Sequence, residues 1–267
     1  MTTGRIVASI QLLLLAAITI AVPAMALALA LGEGDQVSPA GEASPSAGPS
    51  DPIFDDRFEV LDVSIYEIQT PVDIMASDAS PLVDRVVQVD GVVTAAPGEI
   101  GSPATGVIQE LGGGPYSGVR LVGNFSSVNA QRGDIIRVIG VVSDPFGNTQ
   151  VSFNSNIERL GTAPVPAPEV LSTSQFVPNN VPVSEQWEGV LIEFNNVTVT
   201  DENPDAPDND FGEWLFTDGS AEALGDSFST TLTIDPVNGQ MFNVIRGIGW
   251  FSFGDHKVQP RNDADFN

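Results

Sequence analysis

One histidine, one lysine, a run of carboxylates and a scatter of aromatic rings are the residues of this chain whose types and spacing could do chemistry. Acid–base or nucleophilic catalysis needs a histidine or a matched carboxylate pair in a pocket, and His256 is the only histidine. It falls in Phe253-Gly254-Asp255-His256-Lys257, a sequence that reads as a polar hairpin turn. There is no Gly-x-Ser-x-Gly elbow to present a serine nucleophile. The chain is therefore not expected to be an enzyme. Oxygen ligands are densest at Asp201, Asp205, Asp208 and Asp210, spaced closely enough for a calcium site, although the run lacks the spacing and terminal glutamate of an EF-hand loop. Apart from that possible Ca²⁺, no cofactor is implied. Stacking chemistry is open to Trp214 and Phe216, which share one face of a strand, and to Trp250, Phe251 and Phe253 near a later turn. Arg246, Lys257 and Arg261 lie close to these rings in sequence and read as a basic cluster able to take an anion. Candidate ligand residues are thus Trp214, Phe216, Arg246, Trp250, Phe253, His256, Lys257 and Arg261.

The elements that must position these residues repeat. Asp134 to Val151 and Met241 to Val258 align with a constant shift of about 107: Gly140 falls on Gly247, Phe146-Gly147 on Phe253-Gly254, and Val151 on Val258. The same shift places Val107-Ile108 on Trp214-Leu215, and a shift of about 105 places Val89–Val92 on Phe194–Val197. Self-similarity at a fixed period means two copies of one supersecondary unit. Within each copy, short runs rich in Val, Ile, Thr and Phe alternate with polar residues between Gly, Pro, Asn and Asp clusters, the pattern of strands and turns. In the first copy, strands are predicted at Val86–Ala95, Thr105–Glu110, Gly118–Val122, Asp134–Ser143 and Gln150–Arg159, after an extended lead-in at Phe58–Glu67. The second copy gives Gly189–Thr200, Glu213–Thr217, Ser227–Ile234, Phe242–Phe251 and His256–Pro260. Five strands suit a small closed barrel, with Gly91 and the Gly140/Gly247 pair expected at strand bends. The fold class is all-β: two tandem five-stranded OB-like barrels, at 58–162 and 163–267.

Before these units, Arg5 precedes an apolar run ending near Leu31 that contains the small-x-small sites Ala24-Met25-Ala26 and Ala28-Leu29-Ala30. Residues 1–31 read either as a cleaved secretory signal or as a retained membrane anchor through residues 6–31, and both export the remainder. Residues 32–57, rich in Gly, Ser, Pro and acids, read as a flexible spacer. The expected location is periplasmic, cell-surface or extracellular. Formal charge is −25, from 35 acids against 10 Lys and Arg, so the chain should repel polyanions, which disfavours nucleic acid as a partner. It has no cysteine, which removes disulfides, thiolate nucleophiles, thiolate zinc sites and lipid-modified cysteine.

Ile65-Tyr66-Glu67-Ile68-Gln69, Val89-x-Gly91-Val92-Val93-Thr94, Gly106-Val107-Ile108-Gln109, Gly133-Asp134, and Gly140-Val141-Val142 with Phe146-Gly147-Asn148-Thr149-Gln150-Val151 resemble the OB-fold domains attached to secreted bacterial nucleases, of the YhcR-like type. The resemblance covers about 100 residues, and the second copy resembles a diverged form. In that family the OB unit usually precedes a metal-dependent endonuclease/exonuclease/phosphatase domain, which is missing before Asn267. The resemblance therefore implies an accessory module. The function expected is an exported, non-catalytic tandem OB-fold binding module acting on a protein or glycan of the cell surface. A nucleic-acid-binding accessory protein associated with a nuclease and, further off, a metal-assisted nuclease using the Asp201–Asp210 loop are the alternatives.

Overall fold

Strands form where β-branched residues alternate with polar ones, and the first set closes on itself. The computed structural model describes residues 59–229 and 231–267. The apolar segment and spacer read over 1–57 lie outside the described residues. β1 (Val60–Asp62) runs parallel to the start of β2 (Val86–Ala95), with α1 (Ile65–Gln69) between them. β3 (Thr105–Gln109), β4 (Gly118–Val122), β5 (Asp134–Ser143) and β6 (Gln150–Ser152) follow. β2 pairs with both β3 and β5, while β6 lies antiparallel to β5 and parallel to β4, so β2-β3-β4-β6-β5 is a closed five-stranded barrel. β7 (Ile157–Thr162) adds to the lower half of β5.

The second set repeats this order. After β8 (Glu169–Leu171) and the single turn α2 (Val181–Ser184) come β9 (Leu191–Asp201), β10 (Glu213–Thr217), β11 (Glu222–Asp226), β12 (Met241–Ser252) and β13 (Asp255–Gln259). They form a ring-like sheet, β9-β10-β11-β13-β12, in which the parallel β11–β13 contact is reduced to Gly225 opposite Val258. Each ring encloses its own apolar cluster, one built around Val89, Ile108, Leu121 and Val151, the other around Phe194, Trp214, Phe216 and Val258.

The duplication survives at the level of register. Val87 pairs with Gly140 and Ile192 with Gly247, reproducing both the 105 and the 107 shifts. A Cβ on Gly140 would lie 2.5 Å from the Ser152 carbonyl oxygen, and one on Gly247 would lie 2.6 Å from that of Gln259. Ser152 and Gln259 are themselves 107 apart. These glycines admit the crossing strand, Gly140 lying where β5 changes partner from β7 to β6. Gly91 sits in regular pairing opposite Ile136, where an added Cβ would come within 3.0 Å of Ile108 and Ile65, and the irregularity of β2 lies between Val93 and Ala95.

Four expectations are corrected. The lead-in is extended only at β1, because Ser64 and Glu67 form a reciprocal capping box that starts α1 and drives Ile65 and Ile68 into the barrel. The predicted strand Gln150–Arg159 breaks at Phe153, whose ring turns inward to meet Phe125 edge-on at 5.0 Å. The third strand of the second ring is Glu222–Asp226, not Ser227–Ile234; the turn Asp218–Ser220 sends the chain straight back along β10, whereas Leu232 and Ile234 pack on the core from a loop. Matching Val107-Ile108 to Trp214-Leu215 fails in parity: Ile108 and Trp214 point inward, Val107 and Leu215 do not, a one-residue slip that exchanges faces.

The two rings meet along the outer face of β3 and β4. Ala95, Ile100 and Val107 pack against Leu191, Ile248 and Trp250. Gly118 and Gly189 touch through their backbones, a Cβ on Gly118 falling 1.9 Å from the Gly189 carbonyl oxygen. Hydrogen bonds from Leu191 N to Gln109 Oε1 (3.0 Å), Tyr116 N to Gln186 O (2.7 Å) and Arg261 Nη1 to Thr94 O (2.9 Å) cross the seam.

Candidate functional site

At the far end of this seam the β5–β6 and β12–β13 turns come together. Pro145 sets the first turn, and Phe146 follows at φ 60°, Gly147 at φ 79°. In the second, Phe253 is at φ 56° and Gly254 at φ 95°. A left-handed conformation is natural for glycine but costs a phenylalanine about 1–2 kcal/mol. Both rings nevertheless stand almost entirely in solvent, Phe146 at 95% and Phe253 at 98% exposure. Each forgoes the roughly 1.5–3 kcal/mol that burying such a side chain supplies. The tips are tied to each other's neighbourhood: a Cβ on Gly147 would lie 2.6 Å from the Phe251 ring, and Asn148 Nδ2 donates to the Phe251 carbonyl at 2.8 Å. Asp144 immediately precedes the first tip and Asp255 follows the second.

Beneath the tips lies a buried polar cluster. His256 Nε2 is 3.4 Å from Glu185 Oε2, with the two side chains 1% and 4% exposed. Burial, with Lys257 adding to it, pushes the imidazole down to about 3; burial, reinforced by Asp78 and Asp144, pushes the Glu185 carboxyl up to about 8. Both groups are uncharged at neutral pH, and neither the facing Glu185 oxygen nor the imidazole nitrogens have a hydrogen-bond partner. Glu188 is likewise held far above the usual carboxylate range by burial and by Glu185, while its Oε1 accepts from Thr149 N at 2.9 Å. His256 is enclosed by Phe176, stacked at 6.0 Å, and Phe251, edge-on at 4.8 Å. A base so depressed and so enclosed packs among side chains of its own ring.

The remaining ligand candidates are dispersed. Trp214 and Phe216 are core residues, inward-facing on β10, and therefore offer no stacking surface. Trp250 is in the seam with the Arg120 guanidinium 4.7 Å above its ring. Arg246, Lys257 and Arg261 form no basic patch, because each has its own acid. Arg246 pairs with Glu193 at 2.5 Å, buried Lys257 pairs with Glu213 and lies 4.0 Å from Asp226, and buried Arg261 grips Asp265. Asp226 is raised to about 6 by burial, which outweighs the opposing pull of Lys257. Of the expected ligand set, Phe253 alone is presented to solvent as a ring. Its partner in the other copy, Phe146, was legible as the same Phe-Gly pair 107 positions earlier.

The acidic loop does not gather into a calcium cage. Asp201 Oδ1 accepts from Asn203 N at 3.1 Å, and Asp210 Oδ1 from Gly212 N at 3.0 Å. Asp205 instead faces Glu213 and Lys257. Asp201 and Asp210 therefore close their own turns, and among the described residues no group of three or more His, Asp or Glu side chains could hold a metal ion.

No family model matches the chain, and no curated protein matches it. Among solved structures it is similar to the crystal structure of the p204 HINb domain, at 12% identity over 58% of this chain and 78% of that one, with a TM-score of 0.28.

Proposed function

We propose that this chain is an exported, non-catalytic binding module made of two tandem OB-like barrels, and that it engages a partner protein through the paired tips carrying Phe146 and Phe253. The observation that carries the reading is a cost met twice: at equivalent places in two diverged copies, a phenylalanine is held in a left-handed conformation and in water. Strained, exposed aromatic residues contribute nothing to folding and are the anchors that interfaces use. The OB assignment rests on the closed order β2-β3-β4-β6-β5 and its recurrence in the second ring. The face that OB domains commonly use, across their second and third strands, is in the first barrel covered by the second ring, whereas the tips stand clear in solvent. With Asp144 and Asp255 beside the rings, the complementary partner surface is basic with an apolar pocket. Export rests on the apolar run before Leu31. The nucleic-acid alternative draws no support from Arg246, Lys257 and Arg261, which are already paired.

Site-specific photocrosslinking in the producing cells tests this reading. A photoreactive phenylalanine at position 146 or 253 is expected to give the same discrete protein adduct, weakened by salt, whereas Val72, also apolar and exposed, gives none. No adduct from either tip, or an equal one from Val72, would overturn it.

A further inference from the structure

At the opposite end of the first barrel, the loop joining β2 to β3 and the loop joining β4 to β5 border an open groove of about 530 Å³. That lies within the ~300–1,000 Å³ usual for small-ligand sites. Pro97 and Pro103 from the first loop and Asn124, Asn129 and Gln131 from the second are among the residues that line it. No residue lining it carries a charge, although the whole chain has a net charge of −25. An anion would meet only the repulsive field of the molecule, and a cation would find no carboxylate to pair with. The lining suits a neutral ligand. Side-chain amides present a donor and an acceptor together, which matches the paired donor and acceptor of neighbouring hydroxyl groups. Pro97 and Pro103 supply C–H surface on which the flat face of a sugar rests; the Phe125 ring itself is buried in the core.

The groove is also formed in advance. Glu99, on the first loop, accepts from Arg132, on the second, at 2.7 Å and from its own loop's Ala96 N at 2.7 Å. Gly123 N donates to Ala104 O at 2.9 Å, a second tie between the walls. The Phe228 ring, from the second unit, packs on Gly101 and braces the first loop from behind. Gln131 Nε2 donates to the carbonyls of Asn129 and Ala130, fixing the turn that carries Asn129. A site whose walls are already held spends little binding energy on ordering itself.

We propose that this groove binds an uncharged oligosaccharide, independently of the phenylalanine tips. The test is titration of the full chain, by calorimetry, with maltohexaose, cellohexaose and chitohexaose, and with an uncharged peptide of Gly, Ser and Pro. At least one sugar is expected to bind in the millimolar range or tighter. The Asn129→Gly variant, which removes that amide at a position whose φ of 45° glycine adopts without strain, should bind at least tenfold more weakly, and Phe146→Ser/Phe253→Ser should bind as the native chain does. Failure of all three sugars, undiminished binding by the asparagine variant, or binding of the peptide in place of the sugars would overturn the proposal.

Discussion

Glu185 and His256 show how single residues set the working range of this molecule. The folded Glu185 carboxyl sits at about 8 against an ordinary 4.5, so it favours the folded state when protonated. Its contribution is complete below about pH 4.5 and is lost as pH rises toward 8. His256, held at about 3 against an ordinary 6.5, acts in the opposite direction: its contribution is present above 6.5 and is lost as pH falls toward 3. From this pair alone, stability is therefore greatest between about pH 4.5 and 6.5; Glu188 and Asp226, also raised by burial, add to the loss on the alkaline side. Glu185→Gln removes the Glu185 share of the alkaline loss. Its thermal midpoint is expected to exceed that of the native chain at pH 8.5 by clearly more than at pH 5, and an equal difference at both pH values would show that Glu185 does not ionise in the seam. Neither residue's role was legible in sequence. His256 read as a polar hairpin-turn residue, yet Pro178 accepts from its backbone N–H and two aromatic rings enclose its side chain, partners found only through tertiary contact.

At the scale of elements, the strands whose pattern was strongest appear where alternation put them: β2, β4, β5 and β10 keep their expected bounds. The errors fell where composition and tertiary demand disagree. Glu222-Ala223-Leu224-Gly225-Asp226 has poor strand propensity but lies between β10 and β13, where ladder pairing decides, while the Thr-rich Ser227–Ile234 had the propensity and not the neighbours. The seam was invisible for a different reason: a backbone contact between Gly118 and Gly189 leaves no periodic trace. Gly118→Ala is expected to cost about 3 kcal/mol, because its Cβ would meet the Gly189 carbonyl with no side chain able to give way. In a chain of this size that is a fall of roughly 6–12 °C in thermal midpoint. Gly161→Ala, with open space around it, serves as the control and should be neutral. Similar midpoints for both variants would mean that the backbones do not touch.

For the whole molecule, duplication supplies what neither copy has alone. One barrel gives up its outer β3–β4 face to dock the other, and the docking brings two equivalent turns into one edge. The repeat was readable from Gly140/Gly247 and Phe146/Phe253; the docking that gives those phenylalanines a common direction was not. The central claim is that the two tips are fixed relative to each other by the seam. A chain without cysteine allows this to be measured cleanly, with spin labels on Phe146→Cys/Phe253→Cys and pulsed electron resonance to read the distance between them. A single narrow distance distribution is expected, broadened when Gly118→Ala is added. A broad or two-peaked distribution in the otherwise native chain would mean that the tips move independently, and the shared binding edge would not exist.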